Sequence, residues 1–371
     1  MLLITCPFGL SSTLWKELKL LWYNPQNTFP TWTFVDWNDS AIYNINLRSR
    51  IANKVYLLVW QSNTQTFDQL FDFVYSLDLS KYFLPWQKIS ISAHSNNSVL
   101  TSIPSIQSIS QKAIIKKISW ANLELLQIDA DKAEFEIFVF LQDNLCKIFL
   151  NTSWISLHNR WYRQQALDAP IKENVAAWLV LLSWRKFTQA FYDPFCWSWT
   201  ICIEAAMIAK NIPVWLKRFF AFQDFPNFDP KLFQTIKDQA VSKIFTEKQY
   251  KIFGSDIDPL AVKVSRQNAI NAGVDDTITF SQQDFLSSEI SSWHIVSNPP
   301  YGKRLQDFDL NKIYSHIDKL FSSPDLTWWI ITSYEWFQDM IDNPVWQTIR
   351  NKYSSKTIFN WADKCTFWKK V

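Results

Sequence analysis

Four glycines in 371 residues leave this chain almost no positions where the backbone can enter the left-handed region without strain. Average usage, near 7%, would supply about 26. The chain holds 21 tryptophans instead, and the two counts together amount to an ordinary glycine content. Several tryptophans stand where glycine is needed. The segment DPFCWSWT at 193–200 reads, with both tryptophans replaced, as DPFCGSGT. That is the tight glycine-rich turn between the first strand and first helix of a nucleotide-binding sheet. We therefore expect that many of the tryptophans correspond to UGA codons that the source organism reads as glycine. The alternative is a chain genuinely rich in tryptophan. Sequence alone does not sort the 21, and Trp86 is a candidate for a real one.

Hydrophobic residues make up 48% of the chain and charged residues 19%, the balance of a globular protein of two or three domains. No stretch approaches 18 uncharged apolar residues, and the start MLLITCPFGLSSTLWKELK lacks the basic, apolar and cleavage regions of a secretory signal. A cytoplasmic chain with no membrane partner is the expectation. Cys6, Cys146, Cys196, Cys202 and Cys365 are odd in number and form no CxxC pair, and the histidines are only His94, His158, His294 and His316. Neither a disulfide framework nor a metal site is expected. A net charge of +3, with basic clusters at Lys116 and Lys117, at HNRWYR (158–163) and at LKRFF (216–220), is compatible with an RNA partner without requiring one. A monomer is the default.

Up to about residue 152 the chain mixes short strands and helices. NINLRSRIANKVYLLVW (44–60) runs from helix into strand, KISISAHS (88–95) alternates as a strand, SISQKAIIKKI is helical, and FEIFVFLQDNLCKIFLNTS reads as a hairpin turning at QDN. From about residue 166 strands and helices alternate, which predicts a mostly parallel sheet covered on both faces. Its strands are AFYDPF, KIFGSDID, TITFSQQDF, HIVSNPPYG and TWWIITSY, with helices TICIEAAMIAKN and PLAVKVSRQNAINAG after the first two. Ligands of such sheets bind beyond the carboxyl ends of the strands.

Four elements fall at such ends: DPFCWSWT (193–200), SDID (255–258), QDF (283–285) and NPPY (298–301). The first, with glycine restored, brings backbone and helix-start N–H groups close to a ligand. Asp256 is placed to accept from both hydroxyls of a ribose, while Asp258 is the better cap for the helix beginning at Pro259. Asp284 can accept from an adenine amine or serve as a turn residue. In NPPY, Asn298 and the Pro299 carbonyl offer two acceptors to one amine, Pro299 having no N–H of its own, and Tyr301 offers a face for stacking a base. Held so, an exocyclic nitrogen meets an electrophilic methyl group in near-attack geometry, and positioning does most of the catalysis. Cys196 raises the possibility of a nucleophile attacking a pyrimidine carbon, but no base is placed near it in sequence, and packing is the expected role.

These residues resemble the class I S-adenosylmethionine-dependent RNA methyltransferases with an N-terminal THUMP domain, in particular the bacterial 23S rRNA (guanine-N2)-methyltransferases. ITCPFGL, NLRSRIANKVY (46–56), HNRWYRQQALDAPIKENVAAWLVLLSW (158–184), LKRFFAFQDFPNFD (216–229) and FNWADKC extend the resemblance over nearly the whole chain. Trp161, Trp184, Trp197, Trp199 and Trp361 stand at family glycines. The resemblance implies a ferredoxin-like subdomain at 1–55, a THUMP RNA-binding domain at 56–152, a linker at 153–165, and a Rossmann-like α/β methyltransferase domain at 166–371. It further implies cofactor contacts from Asp193, Pro194, Phe195, Cys196, Trp197, Ser198, Trp199, Thr200, Asp256, Asp284 and Asn298, with Asn298, Pro299, Pro300 and Tyr301 holding the guanine. The rivals are a tRNA guanine-N2 enzyme, a DNA adenine-N6 enzyme, and a non-catalytic RNA-binding protein whose cofactor site indoles have filled. Genomic codons at 197 and 199 discriminate: UGA supports the enzyme, UGG the filled site.

Overall fold

The structure, a computed structural model, describes residues 1–79, 82, 89–119, 135–163, 171–184, 187–197, 200–288, 290, 293–301, 310–321, 326–334, 353–360 and 363–370. The first half comprises β1 (Leu2–Thr5), α1 (Ser11–Leu20), β2 (Trp32–Val35), α2 (Asp39–Arg48), β3 (Lys54–Asn63), α3 (Phe67–Ser76), β4 (Ile89–Asn96), α4 (Ile103–Ser119), β5 (Phe135–Gln142) and β6 (Leu145–Asn151). Its strands form one sheet in the order β2-β1-β3-β6-β5-β4. β3 pairs with β1 through Lys54 to Leu57 and with β6 from Tyr56 onward, so the boundary expected near residue 55 falls inside a strand that two modules share. The expected hairpin is β5–β6. It turns on Asp143 and Asn144, both at positive φ (54° and 63°), the primed turn that suits the strand twist.

The second half comprises α5 (Glu173–Ser183), β7 (Phe191–Asp193), α6 (Thr200–Ala209), α7 (Pro230–Val241), β8 (Ile252–Asp256), α8 (Pro259–Ala272), β9 (Ile278–Gln282), β10 (His294–Ser297), α9 (Leu310–Phe321), β11 (Thr327–Thr332), β12 (Tyr353–Asn360) and β13 (Asp363–Lys370). The sheet order is β12-β13-β11-β10-β7-β8-β9. From β11 to β9 every pairing is parallel, and the terminal β12–β13 hairpin, which the sequence reading did not anticipate, joins β11 antiparallel. Chain order reverses between β7 and β10, and a crevice at such a reversal is where these sheets bind ligands. α8 begins as expected: Asp258 caps it by accepting from the Leu260 N–H at 2.8 Å, with Pro259 at its first position.

The segment 153–163, expected as linker, passes through the junction of the two halves. Buried Arg160 donates from Nε to Glu204 on α6 (3.1 Å) and from Nη2 to the Arg50 carbonyl (2.7 Å). Arg50 in turn donates to the Met207 and Ile212 carbonyls, and Glu17 of α1 accepts from the Ser49 hydroxyl and the Arg50 N–H. This is a clamp, built from charges that burial forces into pairs.

Three described tryptophans sit in the left-handed region: Trp22 (φ 70°), Trp154 (φ 73°) and Trp197 (φ 38°). Trp22 closes α1 by donating to the Lys19 carbonyl (3.0 Å) while Tyr23 donates to Leu18 (2.9 Å). Gly273 closes α8 with the same two bonds and the same φ of 70°. This is the helix-ending motif that glycine dominates. The φ values of Trp161 and Trp184 are not positive, and their indoles donate to the Val214 and Gln189 carbonyls. Trp86, Trp199 and Trp361 lie outside the described residues.

Candidate active site

All four sequence elements come together at the carboxyl ends of β7, β8, β9 and β10. At the end of β7, Asp193 is 1% exposed, and its Oδ1 accepts from the Phe195 N–H (3.2 Å) and the Ser297 hydroxyl (2.5 Å). Burial raises its pKa to about 7 against the pull of those two bonds, and the nearby Asp256 charge adds to the rise. Asp193, expected among the cofactor contacts, thus lies beneath the turn and ties β7 to the residue preceding Asn298. Pro194 is buried, and the Phe195 ring packs 4.5 Å from Phe285, the residue after Asp284. Cys196 is buried and its thiol donates to the Ser255 carbonyl; burial and the Asp256 charge hold it protonated, which fits packing rather than attack. Thr200 opens α6 and accepts from Arg163 at 2.6 Å. Ser198 and Trp199 lie outside the described residues.

Asp256 closes β8. Its Oδ2 accepts from the Trp197 N–H (2.9 Å) and its Oδ1 from the Asp258 N–H (3.1 Å), so the carboxylate expected to hold a ribose also holds the turn in place. Burial raises its pKa. Asp284 is exposed and accepts from the Leu286 N–H at 2.9 Å, displaying the turn role.

Asn298 follows β10 half-buried. Its Oδ1 is shielded from solvent and has no hydrogen-bond partner among the described residues. Leaving an amide acceptor dry and unpaired costs about 1–3 kcal/mol, a cost that a donor arriving with a ligand removes. Pro299 and Pro300 are buried, and the Pro300 carbonyl accepts from the Tyr314 hydroxyl of α9 at 3.1 Å. Tyr301 is half-buried with its hydroxyl 3.7 Å from the Cys365 sulfur, so its ring is only partly available for stacking. Ser297, Tyr314 and Thr332 escaped the sequence reading. Ser297 and Thr332 carried a signal there, a small hydroxyl closing a largely apolar strand; Tyr314 carried none.

The crevice where this parallel sheet reverses is the binding position of a nucleotide-cofactor enzyme, and the family matches make the chain an S-adenosylmethionine-dependent methyltransferase with a THUMP domain. Residues 1–56 match the RlmL ferredoxin-like domain, 64–151 the THUMP domain, and 160–355 the RMKL-like methyltransferase domain. The chain belongs to the RMKL-like methyltransferase family. It is 31% identical to the putative RNA methyltransferase YpsC of Bacillus subtilis over its whole length and 96% of that protein. It is 29% identical to the ribosomal RNA large subunit methyltransferase K/L of Shewanella frigidimarina, matching with 81% of its own length but spanning only 43% of that protein. Among solved structures, the putative methyltransferase SMU.472 complexed with SAH superimposes with a TM-score of 0.81 at 29% identity, covering 100% of this chain and 97% of that one.

The polar groups present fit S-adenosylmethionine: a carboxylate at the end of β8, another at the end of β9, and at the end of β10 an acceptor unpaired among the described residues. One described side chain does not fit. The indole of Trp197 projects from a turn whose backbone, at φ 38°, is in the region that favours glycine.

Proposed function

We propose that this protein methylates the exocyclic N2 of a guanine in RNA, 23S rRNA in the first instance, in the cytoplasm, and that the natural chain carries glycine at 197 and 199. The observation that carries the reading is the buried Asn298 Oδ1 at the end of β10, unpaired among the described residues. Kinship with the K/L enzymes supports the ribosomal substrate, and the THUMP domain supports a grip on folded RNA. The cofactor supplies an electrophilic methyl group; the turn at 193–200, Asp256 and Asp284 hold it. Asn298 Oδ1 and the Pro299 carbonyl accept the two hydrogens of the target amine, which directs the nitrogen lone pair outward to the methyl group. Tyr301 supports the base. With Asp193 occupied by Ser297 and Cys196 protonated, neither takes the proton that the methylated amine must lose; it passes to water, and orientation carries the rate.

The test is to incubate the glycine-197, glycine-199 protein with ribosomal RNA and the cofactor, and to identify the product nucleoside by mass spectrometry. N2-methylguanosine is expected; N6-methyladenosine would overturn the guanine assignment. In the same background Asn298→Ala should lower turnover on the order of a hundredfold and leave cofactor affinity alone. Asp256→Ala should weaken cofactor binding first.

A further inference from the structure

The amine-accepting loop is short of rotational freedom by composition. Both prolines fix their own φ near −65°, which leaves the ψ angles of Asn298, Pro299 and Pro300 to decide where the Pro299 carbonyl and the Tyr301 ring point. The last of these angles is set from outside. Fully buried Tyr314 donates its hydroxyl to the Pro300 carbonyl at 3.1 Å and lies 2.5 Å from the Thr332 hydroxyl at the end of β11. A carbonyl only accepts, so the Tyr314 hydrogen goes to Pro300 and Thr332 donates to the Tyr314 oxygen. Thr332 itself accepts from the Tyr334 N–H at 3.0 Å. The chain runs one way, from the β11 terminus through Thr332 and Tyr314 to the loop. The Tyr314 ring is fixed by stacking on Tyr334, with centroids 4.6 Å apart.

We propose that Tyr314, oriented by Thr332, is a positioning residue that sets the peptide plane following the amine acceptors. It touches neither base nor cofactor, and it acts through Pro300. The inference rests on the amine-accepting role given above to Asn298 and Pro299.

Single-turnover methylation at saturating RNA and cofactor tests it in the glycine-197, glycine-199 protein. Tyr314→Phe, which keeps the ring and removes the donor, should slow transfer about tenfold to a hundredfold with cofactor affinity changed by less than about twofold, since small misplacements at a reacting centre act on rate. Thr332→Val should show a similar loss, and Thr332→Ser, which keeps the hydroxyl, should restore the rate. The Tyr314→Phe/Thr332→Val double variant should be no slower than Tyr314→Phe, because the second bond has nothing left to orient. An unchanged rate for Tyr314→Phe in a protein with unshifted melting temperature overturns the proposal, as do losses that simply multiply. Should Tyr314→Phe fold poorly, the Thr332 pair decides: equal rates for Val and Ser overturn it. Adenine methylation by the parent protein would sink the guanine reading and leave this one standing, because the brace serves any exocyclic amine.

Discussion

The Ser297 hydroxyl donates to the buried Asp193 carboxylate at 2.5 Å, so the strand that leads into Asn298–Tyr301 hangs from the strand that leads into the turn at 193–200. Burial lifts the Asp193 pKa from 3.8 to about 7. Between those values the folded chain keeps a proton that the unfolded chain releases. The stability contributed is fully present below the unfolded value and is lost as pH rises through about 7. Asp193→Asn cannot ionise and still offers Ser297 an acceptor. Its melting temperature relative to the parent should therefore climb from pH 4 to pH 7 and level off above. A difference that is flat across this range would show that Asp193 titrates as it does in the unfolded chain.

Trp22 makes the clearest case for recoding outside the cofactor turn. It occupies the helix-ending position that Gly273 occupies in α8, at the same φ, and its indole is 95% exposed, so almost no packing offsets the strain. A left-handed residue other than glycine costs about 1–2 kcal/mol, against about 0.5–1 kcal/mol of extra unfolded-chain freedom for glycine. Trp22→Gly should stabilise the protein by a few tenths to about 1 kcal/mol in urea unfolding. Destabilisation would count Trp22 among the real tryptophans. Native protein from the source organism should also weigh less than a chain of 21 tryptophans.

The strands β7 to β11 and the helices α6 and α8 were legible because local punctuation marks them: Asp258 and Pro259 open α8, Gly273 closes it, and apolar runs end in polar motifs at 256, 284 and 298. The hairpin at Asp143 and Asn144 was legible for the same local reason. What stayed hidden depends on pairings between distant residues. Nothing near Arg160 in sequence announces Glu204, and nothing near Pro300 announces Tyr314, because the sheet order that brings them together is set by burial of whole strands. The pairing of β3 with both β1 and β6 is likewise invisible in the sequence, because it too joins residues far apart in the chain.

The clamp between the halves gives a stability prediction. Arg160 and Glu204 are both fully buried at the side chain and 3.1 Å apart. Arg160→Met leaves the Glu204 charge with the Tyr162 hydroxyl but without its ion-pair partner and should cost about 3–5 kcal/mol, whereas Arg160→Met with Glu204→Met should recover most of that loss. Denaturant midpoints of the three proteins decide it. A double variant as unstable as Arg160→Met would place the loss in packing and in the Arg50 carbonyl contact rather than in the stranded charge.

Cofactor binding by the chain as written is the sharpest test of the recoding hypothesis. Trp197 sits at φ 38°, where a bulky aromatic side chain is strained, and its N–H is committed to Asp256 at 2.9 Å, which fixes the turn with the indole attached. Glycine at 197 keeps that N–H and its bond, relaxes the backbone, and removes a bulky side chain from the turn after β7. Glycine at 199 completes the DPFCGSGT turn. Trp197→Gly/Trp199→Gly should therefore bind S-adenosylmethionine in a calorimetric titration in which the unaltered chain gives no heat beyond dilution, once circular dichroism has shown both to be folded. The strain argument also predicts that the doubly substituted protein melts higher than the unaltered one even without cofactor. Tight binding by the tryptophan form would mean that the indoles line the site instead of filling it, and would return Trp197 and Trp199 to the status of native residues.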